Sequence, residues 1–297
     1  MYSDSLFNFY KLTEDQGLDA GAELLLNFAA QKPFYGMDCG IRGDDIWARA
    51  DRYRACIDLF AEEDEDKKNT IRNSIYFCAG IMPDSDSVEN RFEAVENLER
   101  TIIDFKDSDE DFGEHLVAIG TCGIDHDWDS VEYEGRDHEW FDNSTIRDER
   151  DLFALQLTLG KKLDMPVVVH SRRGFNETTD VLKAVKWNRG VIHGFAYTQS
   201  ELEFFLDLGW YIGFSGTVTY GGKNKFADMA DVVSYVPKDR ILIETDSPYY
   251  APVPVKGGTN TPGNIRYIYE YIAAKRGMTI HRLCETVDKN FEKLFLK

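Results

Sequence analysis

Three side chains suited to binding a cation stand at comparable places in this sequence, each where a short apolar run stops. His170 closes the run in "PVVVHSRRG", His193 closes the run in "GVIHGF", and Asp246 ends "ILIETD". Two imidazoles and a carboxylate brought to one point can hold a divalent metal. A carboxylate beside such an ion can also take a proton from water, as a general base. A fourth apolar run, "LVAIGTCGID" (116–125), offers Thr121 and Cys122, with Asp125 and His126 just beyond. Each residue has a plainer reading as well. A strand-end histidine is commonly a hydrogen-bonded core residue, and Asp246 opens "DSPYYAP", a turn-like stretch it could simply cap. Arg172 and Arg173 either face solvent or hold a phosphate, for which a planar guanidinium is well shaped. Lys223 and Lys225 follow the seventh apolar run and read equally as phosphate contacts or as surface residues at a helix start. His115, His138 and His281 are assigned no role.

These residues need elements to position them. Short apolar runs rich in β-branched residues occur near 2–7, 34–39, 74–81, 115–121, 166–170, 190–194, 210–215 and 240–245. Runs apolar at every position suit strands of a parallel sheet buried on both faces. Helical patterns lie between them. Leu152, Leu155, Leu159 and Leu163 recur at spacings of three and four. Thr198 and Glu201 form a capping-box pattern before a helix that stops at Gly209. Thr279 can cap the last helix, where Ile280, Leu283, Val287, Phe291 and Leu294 make one apolar stripe. Strands alternating with helices in this number predict an α/β fold, a (β/α)8 TIM barrel, with a doubly wound open sheet as the rival. A barrel places functional residues at the C-terminal ends of its strands, which is where His170, His193 and Asp246 fall. The expectation is one barrel over 1–297, with an acidic loop insert at 125–150 after the fourth strand.

Composition agrees with a folded enzyme-sized chain. The 297 residues are 43% hydrophobic and 13% aromatic, ample for a barrel of about 250 residues. Acids outnumber bases 53 to 34, for a net charge of -19. That surface repels polyanions and argues against a broad basic nucleic-acid groove, though not against a local phosphate site. The five cysteines show no CxxC spacing and read as reduced core thiols of a cytoplasmic protein. The N-terminus lacks a basic start followed by an apolar run, and no apolar stretch approaches about 18 residues, so neither a signal peptide nor a membrane span is expected. "GFSGT" (213–217) matches the nucleophile-elbow spacing only in part, and no dinucleotide or Walker pattern opens a helix.

The blocks "DLFALQLTLGKKLDMPVVVHSRRG", "GVIHGF", "GWYIGFSGTVTYGGKNK" and "RILIETDSPYYAP" resemble, in order and spacing, those of the TatD family of metal-dependent deoxyribonucleases. "GNIRYIYEYIAAKRGMT" and the closing "NFEKLF" are similar to that family's C-terminal helices. The resemblance is specific from about 148 to 297 and holds in outline before that. It implies an amidohydrolase-like TIM barrel that binds two divalent metals and cleaves phosphodiester bonds, with His170, His193 and Asp246 at metal-ligand positions. It also implies a His-x-His pair on the first strand and a bridging glutamate on the fourth. Leu6 and Asn8 stand where the two histidines belong, and Thr121 stands where the glutamate belongs.

Leucine offers no lone pair, and asparagine and threonine are weak neutral donors. The paired-metal site is therefore not expected to form. The expectation is at most one ion (Zn, Mg or Mn), or none. His170 and His193 would supply two ligands and Asp246 or Cys122 a third, with His126 or Asp127 in reserve. Two functions follow. One is a hydrolase of DNA or another phosphodiester, impaired or altered, with Asp246 taking the proton of the attacking water and Arg172 or Lys225 steadying the phosphoryl oxygens. The other is a non-catalytic barrel that binds a phosphate-bearing ligand or a protein partner. A weaker third is a small-molecule hydrolase of the amidohydrolase type.

Overall fold

The computed structural model describes residues 2–14, 16–30, 35–127, 143–221 and 229–297. Eight parallel strands follow one another around the sheet in chain order: β1 (Asp4–Phe7), β2 (Gly36–Cys39), β3 (Ile75–Ala79), β4 (Leu116–Asp125), β5 (Val167–Arg172), β6 (Gly190–Ile192), β7 (Tyr211–Phe214) and β8 (Ile241–Ile243). Among the described residues, one or two α-helices lie between each strand and the next, and the sheet curls into a nearly closed (β/α)8 barrel. The runs that are apolar at every position are explained by this arrangement. Val167, Val168 and Val169 are fully buried because one strand face packs inside the barrel and the other under helices.

The seam between β8 and β1 is held by side chains as well as backbone. Asp4 accepts from the Thr245 amide (2.8 Å) and the Thr245 hydroxyl (2.6 Å). Ser5 Oγ donates to the Ile243 carbonyl at 3.0 Å. The Asp246 amide donates to the Leu6 carbonyl, and the Asn8 amide to the Ser247 carbonyl, both at 2.9 Å. Within "SDSLFNF", Asp4–Phe7 thus form a true strand, paired with β2.

Two expected features take a different form. β4 does not stop at Thr121 but runs four residues further, because it stays paired with β5 as far as Asp125 opposite Arg172. Thr121 is therefore mid-strand, and Asp125 becomes a strand-end residue. On the helix Asn143–Leu163, the buried positions include Leu152, Phe153, Gln156, Leu157 and Leu159, while Leu155 and Leu163 are half-buried. The wider face includes Gln156 because its amide is fully paired with the amide and carbonyl of Ile81.

The predicted caps are formed. Glu201 accepts from the Thr198 amide at 2.8 Å, and Thr279 accepts from the Arg282 amide at 3.3 Å. The last helix buries Leu283, Val287, Phe291 and Leu294, and its Asn290 closes the far end of the barrel by donating to the Lys238 and Ile241 carbonyls, each at 2.8 Å. Most of the acidic 125–150 stretch, together with His138, Lys223 and Lys225, lies outside the described residues.

Candidate active site

Four strand ends deliver a row of buried groups to the barrel mouth. β4 ends in Asp125, β5 carries His170, β6 is followed by His193, and β8 is followed by Glu244 and Asp246. Asp125 Oδ2 lies 3.1 Å from His170 Nε2, His170 Nδ1 lies 2.9 Å from His193 Nε2, and His193 Nδ1 lies 3.3 Å from Glu244 Oε1. Carboxylate, imidazole, imidazole and carboxylate thus form one continuous line through the interior. Asp125 and Glu244 are almost fully buried, and both histidines nearly so.

Local backbone makes the row possible. Gly123 on β4 sits at φ +149°, and a Cβ there would lie 1.9 Å from the His170 carbonyl oxygen. Only glycine lets β4 press this closely on β5, which sets Asp125 against His170. Gly213 does the same for Glu244, since a Cβ there would meet Glu244 Oε2 at 2.6 Å. The amide of Gly194 donates to Glu244 Oε1 at 2.5 Å. Asp246 is held at φ +55° by its own amide bond to Leu6 and by the turn in which Tyr249 N donates to its carbonyl. Buried Asn260 clamps that turn, donating to the Thr245 and Tyr249 carbonyls at 2.8 Å each.

The two histidines differ electrostatically. Burial pushes His170 down to about 4, against the pull of Asp125. For His193 burial works the same way, but the hydrogen bond and charge of Glu244, reinforced by Asp246, outweigh it and raise its pKa. Positive charge is therefore favoured at the His193 end of the row.

The predicted ligands are partly brought together. His193, Glu244 and Asp246 each offer a ligand atom, and these atoms all lie within 4.8 Å of one another. His170 is joined to this cluster through His193 rather than belonging to it. Arg172 borders the site, its guanidinium 5.2 Å from the centroid of the Tyr250 ring, and its charge opposes protonation of both histidines. The reserve ligands are engaged elsewhere. Cys122 Sγ lies 4.0 Å from the Val168 carbonyl, and burial raises its thiol well above the usual range. His126 Nε2 is 3.0 Å from Glu149, whose other oxygen accepts from the Asp125 amide at 2.9 Å. Asp127 pairs with Arg173 at 3.1 Å.

The three substituted positions also have definite structural work. Leu6 is buried and lends its carbonyl to Asp246. Asn8 Oδ1 caps the first helix by accepting from the Lys11 amide at 2.8 Å. Thr121 Oγ1 donates to the Gly40 carbonyl at 3.1 Å. None is a strong metal donor by chemistry, whereas His193, Glu244 and Asp246 offer donor atoms that could hold a metal ion.

Sequence reading missed Glu244 and the pairing of Asp125 with His170. A signal existed for both. Each is an acid closing a run of apolar residues that the strand buries, and a buried carboxylate demands a partner.

Eight parallel strands alternating with helices, with imidazoles and carboxylates at the C-terminal strand ends, make the chain a TIM barrel of the enzyme type. Within that class, the model of the TatD-related DNase family matches residues 61–296, and the chain belongs to this family. The uncharacterised metal-dependent hydrolase YcfH of Escherichia coli K12 is 32% identical over 226 residues, covering 75% of each chain. The 3'-5' ssDNA/RNA exonuclease TatD of Rahnella sp. is 32% identical over 190 residues, covering 61% of this chain and 65% of that one. The crystal structure of YJJV, a TatD homologue from Escherichia coli K12, superimposes with a TM-score of 0.75 at 22% identity, covering 100% of this chain and 98% of that one. The family match starts after β2, so β1 with Leu6, and Asn8 just after it, lie outside the match.

Proposed function

We propose that this chain hydrolyses phosphodiester bonds of nucleic acid with a single divalent ion (Zn, Mg or Mn) at the barrel mouth. The observation that carries the reading is the buried convergence of His193, Glu244 and Asp246 at the strand ends where His170 also points. The name of the Rahnella relative supports the substrate class. Of the residues singled out in the sequence, His170, His193 and Asp246 form the ion's immediate surroundings. A bound ion supplies Lewis-acid polarisation of the phosphoryl group and lowers the pKa of water. Asp246 accepts the proton of the attacking water. Arg172, beside both histidines, takes the phosphoryl oxygens, and Lys225 is assigned the same task from sequence alone.

The test is cleavage of single-stranded DNA and RNA oligonucleotides by chelator-stripped protein with Zn2+, Mn2+ or Mg2+ added back. Cleavage that requires the ion and is lost in Asp246→Asn is expected. Absence of cleavage with every ion and substrate sinks the reading. One observation favours a second reading, a non-catalytic barrel that binds a phosphate-bearing ligand or protein. Leu6, Asn8 and Thr121 are all committed to the scaffold at positions the family resemblance gives to metal. Phosphate binding without turnover would decide for it.

A further inference from the structure

The loop that follows β8 holds an aromatic residue in an unfavourable backbone conformation. Tyr250 has φ +50°, a left-handed value that bulky L residues rarely adopt and that glycine or asparagine accepts readily. The loop around it is fixed from several sides. The Tyr220 hydroxyl donates to the Ala251 carbonyl at 2.9 Å, and the Val253 amide donates to Thr219 Oγ1 at 2.9 Å. Gly216 packs on the Tyr250 backbone, where a Cβ would lie 1.8 Å from the Tyr250 carbonyl oxygen. Asn260 Nδ2 donates to the Tyr249 carbonyl at 2.8 Å. These contacts set the backbone of the loop, and none of them uses the phenol ring of Tyr250. Strain that the surroundings enforce is typical of segments that touch a ligand, and here the side chain kept in spite of it is a ring.

The ring stands beside the candidate site. Its centroid is 5.2 Å from the guanidinium of Arg172, which ends β5, the strand that carries His170. The Tyr249 ring adjoins it at 6.4 Å, tilted by 53°. Tyr250 is half-buried, so part of it meets solvent next to Arg172. Charge says what such a surface is for. At a net charge of -19 the chain repels the phosphate backbone of a nucleic acid over long range. Attraction then has to come from the bases. Every base has a π-face, and bases stack on tyrosine rings and on guanidinium planes. We propose that Tyr250, backed by Arg172, is the platform on which an unpaired nucleobase of DNA or RNA stacks when its phosphate lies at the barrel mouth. Such a platform favours single strands, because a base inside a duplex has both faces covered by its neighbours, and it tolerates any sequence. The inference rests on the proposed nucleic-acid reading and names a binding residue for it, but its readout is binding, separate from cleavage.

The experiment measures, by fluorescence anisotropy on the full chain, binding of a labelled oligothymidylate joined by hydrolysis-resistant phosphorothioate linkages, and of the same backbone without bases. The wild-type chain should bind the base-bearing strand roughly 10–100-fold more tightly. Tyr250→Asn suits a left-handed φ and should melt at an unchanged or higher temperature. It should lose that factor on the base-bearing strand and bind the abasic strand as the wild type does. Tyr250→Phe should keep the factor. The abasic strand separates a contact to the base from an effect passed through Arg172 to phosphate. If Tyr250→Asn does not fold, Tyr250→Leu, apolar but without a π-face, takes its place with the same expected loss. No binding, equal wild-type affinity for the two strands, unaltered binding in the folded variant, or an equal loss on both strands would each overturn the proposal. Tyr250-dependent, base-dependent binding without cleavage of ordinary oligonucleotides would leave the platform standing and remove the hydrolase reading. Cleavage by a chain that binds both strands alike would do the reverse.

Discussion

The two halves of the barrel mouth treat the same chemistry in opposite ways. Along β6 to β8, His193, Glu244 and Asp246 converge just beyond the strand ends, with a close approach at Gly213 and the Gly194 amide bonded to Glu244, and His170 on β5 joins them through His193. Along β1 to β4, the corresponding positions are Leu6, Asn8 and Thr121, and what they offer goes to the scaffold: a carbonyl to Asp246, a helix cap, a bond to Gly40. Asp125 at the end of β4 is the exception, and it serves the other half by anchoring His170. The two sides can differ in side-chain chemistry without disturbing the barrel because each strand end is positioned by its own neighbours. The β1–β4 side then supports the site indirectly, by holding the backbone on which Asp246 sits.

That contrast can be broken most severely on the side that keeps its donors. Asp246→Asn should lower kcat/KM on a single-stranded oligonucleotide by roughly 10²–10⁴-fold, the range for loss of a general base, with little change in thermal stability. Retained activity would mean that the chemistry does not run through the β5–β8 side at all. The converse experiment rebuilds the other side. A Leu6→His, Asn8→His, Thr121→Glu triple variant is expected to raise metal stoichiometry from one ion to two in elemental analysis. Thr121→Glu alone should destabilise the metal-free protein by about 1–3 kcal/mol or more in urea unfolding, since a carboxylate is placed where Thr121 is buried. A triple variant that still binds one ion would show that the halves differ in backbone, not only in side chains.

A smaller effect is expected at the join between the halves. Asp125→Asn keeps the shape but removes the charge that anchors His170, and should reduce ion affinity and activity about 10–100-fold. An equal loss in Asp125→Asn and Asp246→Asn would erase the distinction between ligand and support. The least effect is on stability through the β1–β8 seam. Burial raises Asp4 from 3.8 to about 8, so the folded state holds a proton that the unfolded chain has released. Its stabilisation is complete below the unfolded value and is lost as pH rises towards about 8. Melting temperature should therefore fall as pH rises from about 4 to about 8, and fall less in Asp4→Asn, which mimics the protonated group. His193 and His126, with raised pKa values, act in the same direction, so the difference between the two profiles isolates Asp4. Parallel profiles would remove Asp4 from the account.

Much of the fold was legible because its signals are local. Runs such as Val167–Val169 announce strands buried on both faces, and Thr198, Glu201 and Thr279 announce helix starts. His170, His193 and Asp246 stood out for the same reason, each being a polar residue that ends an apolar run; the structure brings His193 and Asp246 together with Glu244 and joins His170 to them through His193. Glu244 has the same signature but stands two residues before Asp246, and one-dimensional spacing does not say which of two nearby carboxylates turns inward. The end of β4 was misplaced because nothing in "GTCGID" marks a strand. Its continuation to Asp125 depends on pairing with β5, where Asp125 lies opposite Arg172.

Residue types and order by themselves determined the barrel, the polar residues that end its apolar runs, and the neutral side chains at Leu6, Asn8 and Thr121. Only the tertiary structure decided what those positions do instead, and which donors actually meet. The meeting of Asp125, His170, His193 and Glu244 depends on contacts between strands from four parts of the chain. Their separations are set by how closely glycine backbones approach and by where buried charge finds a partner.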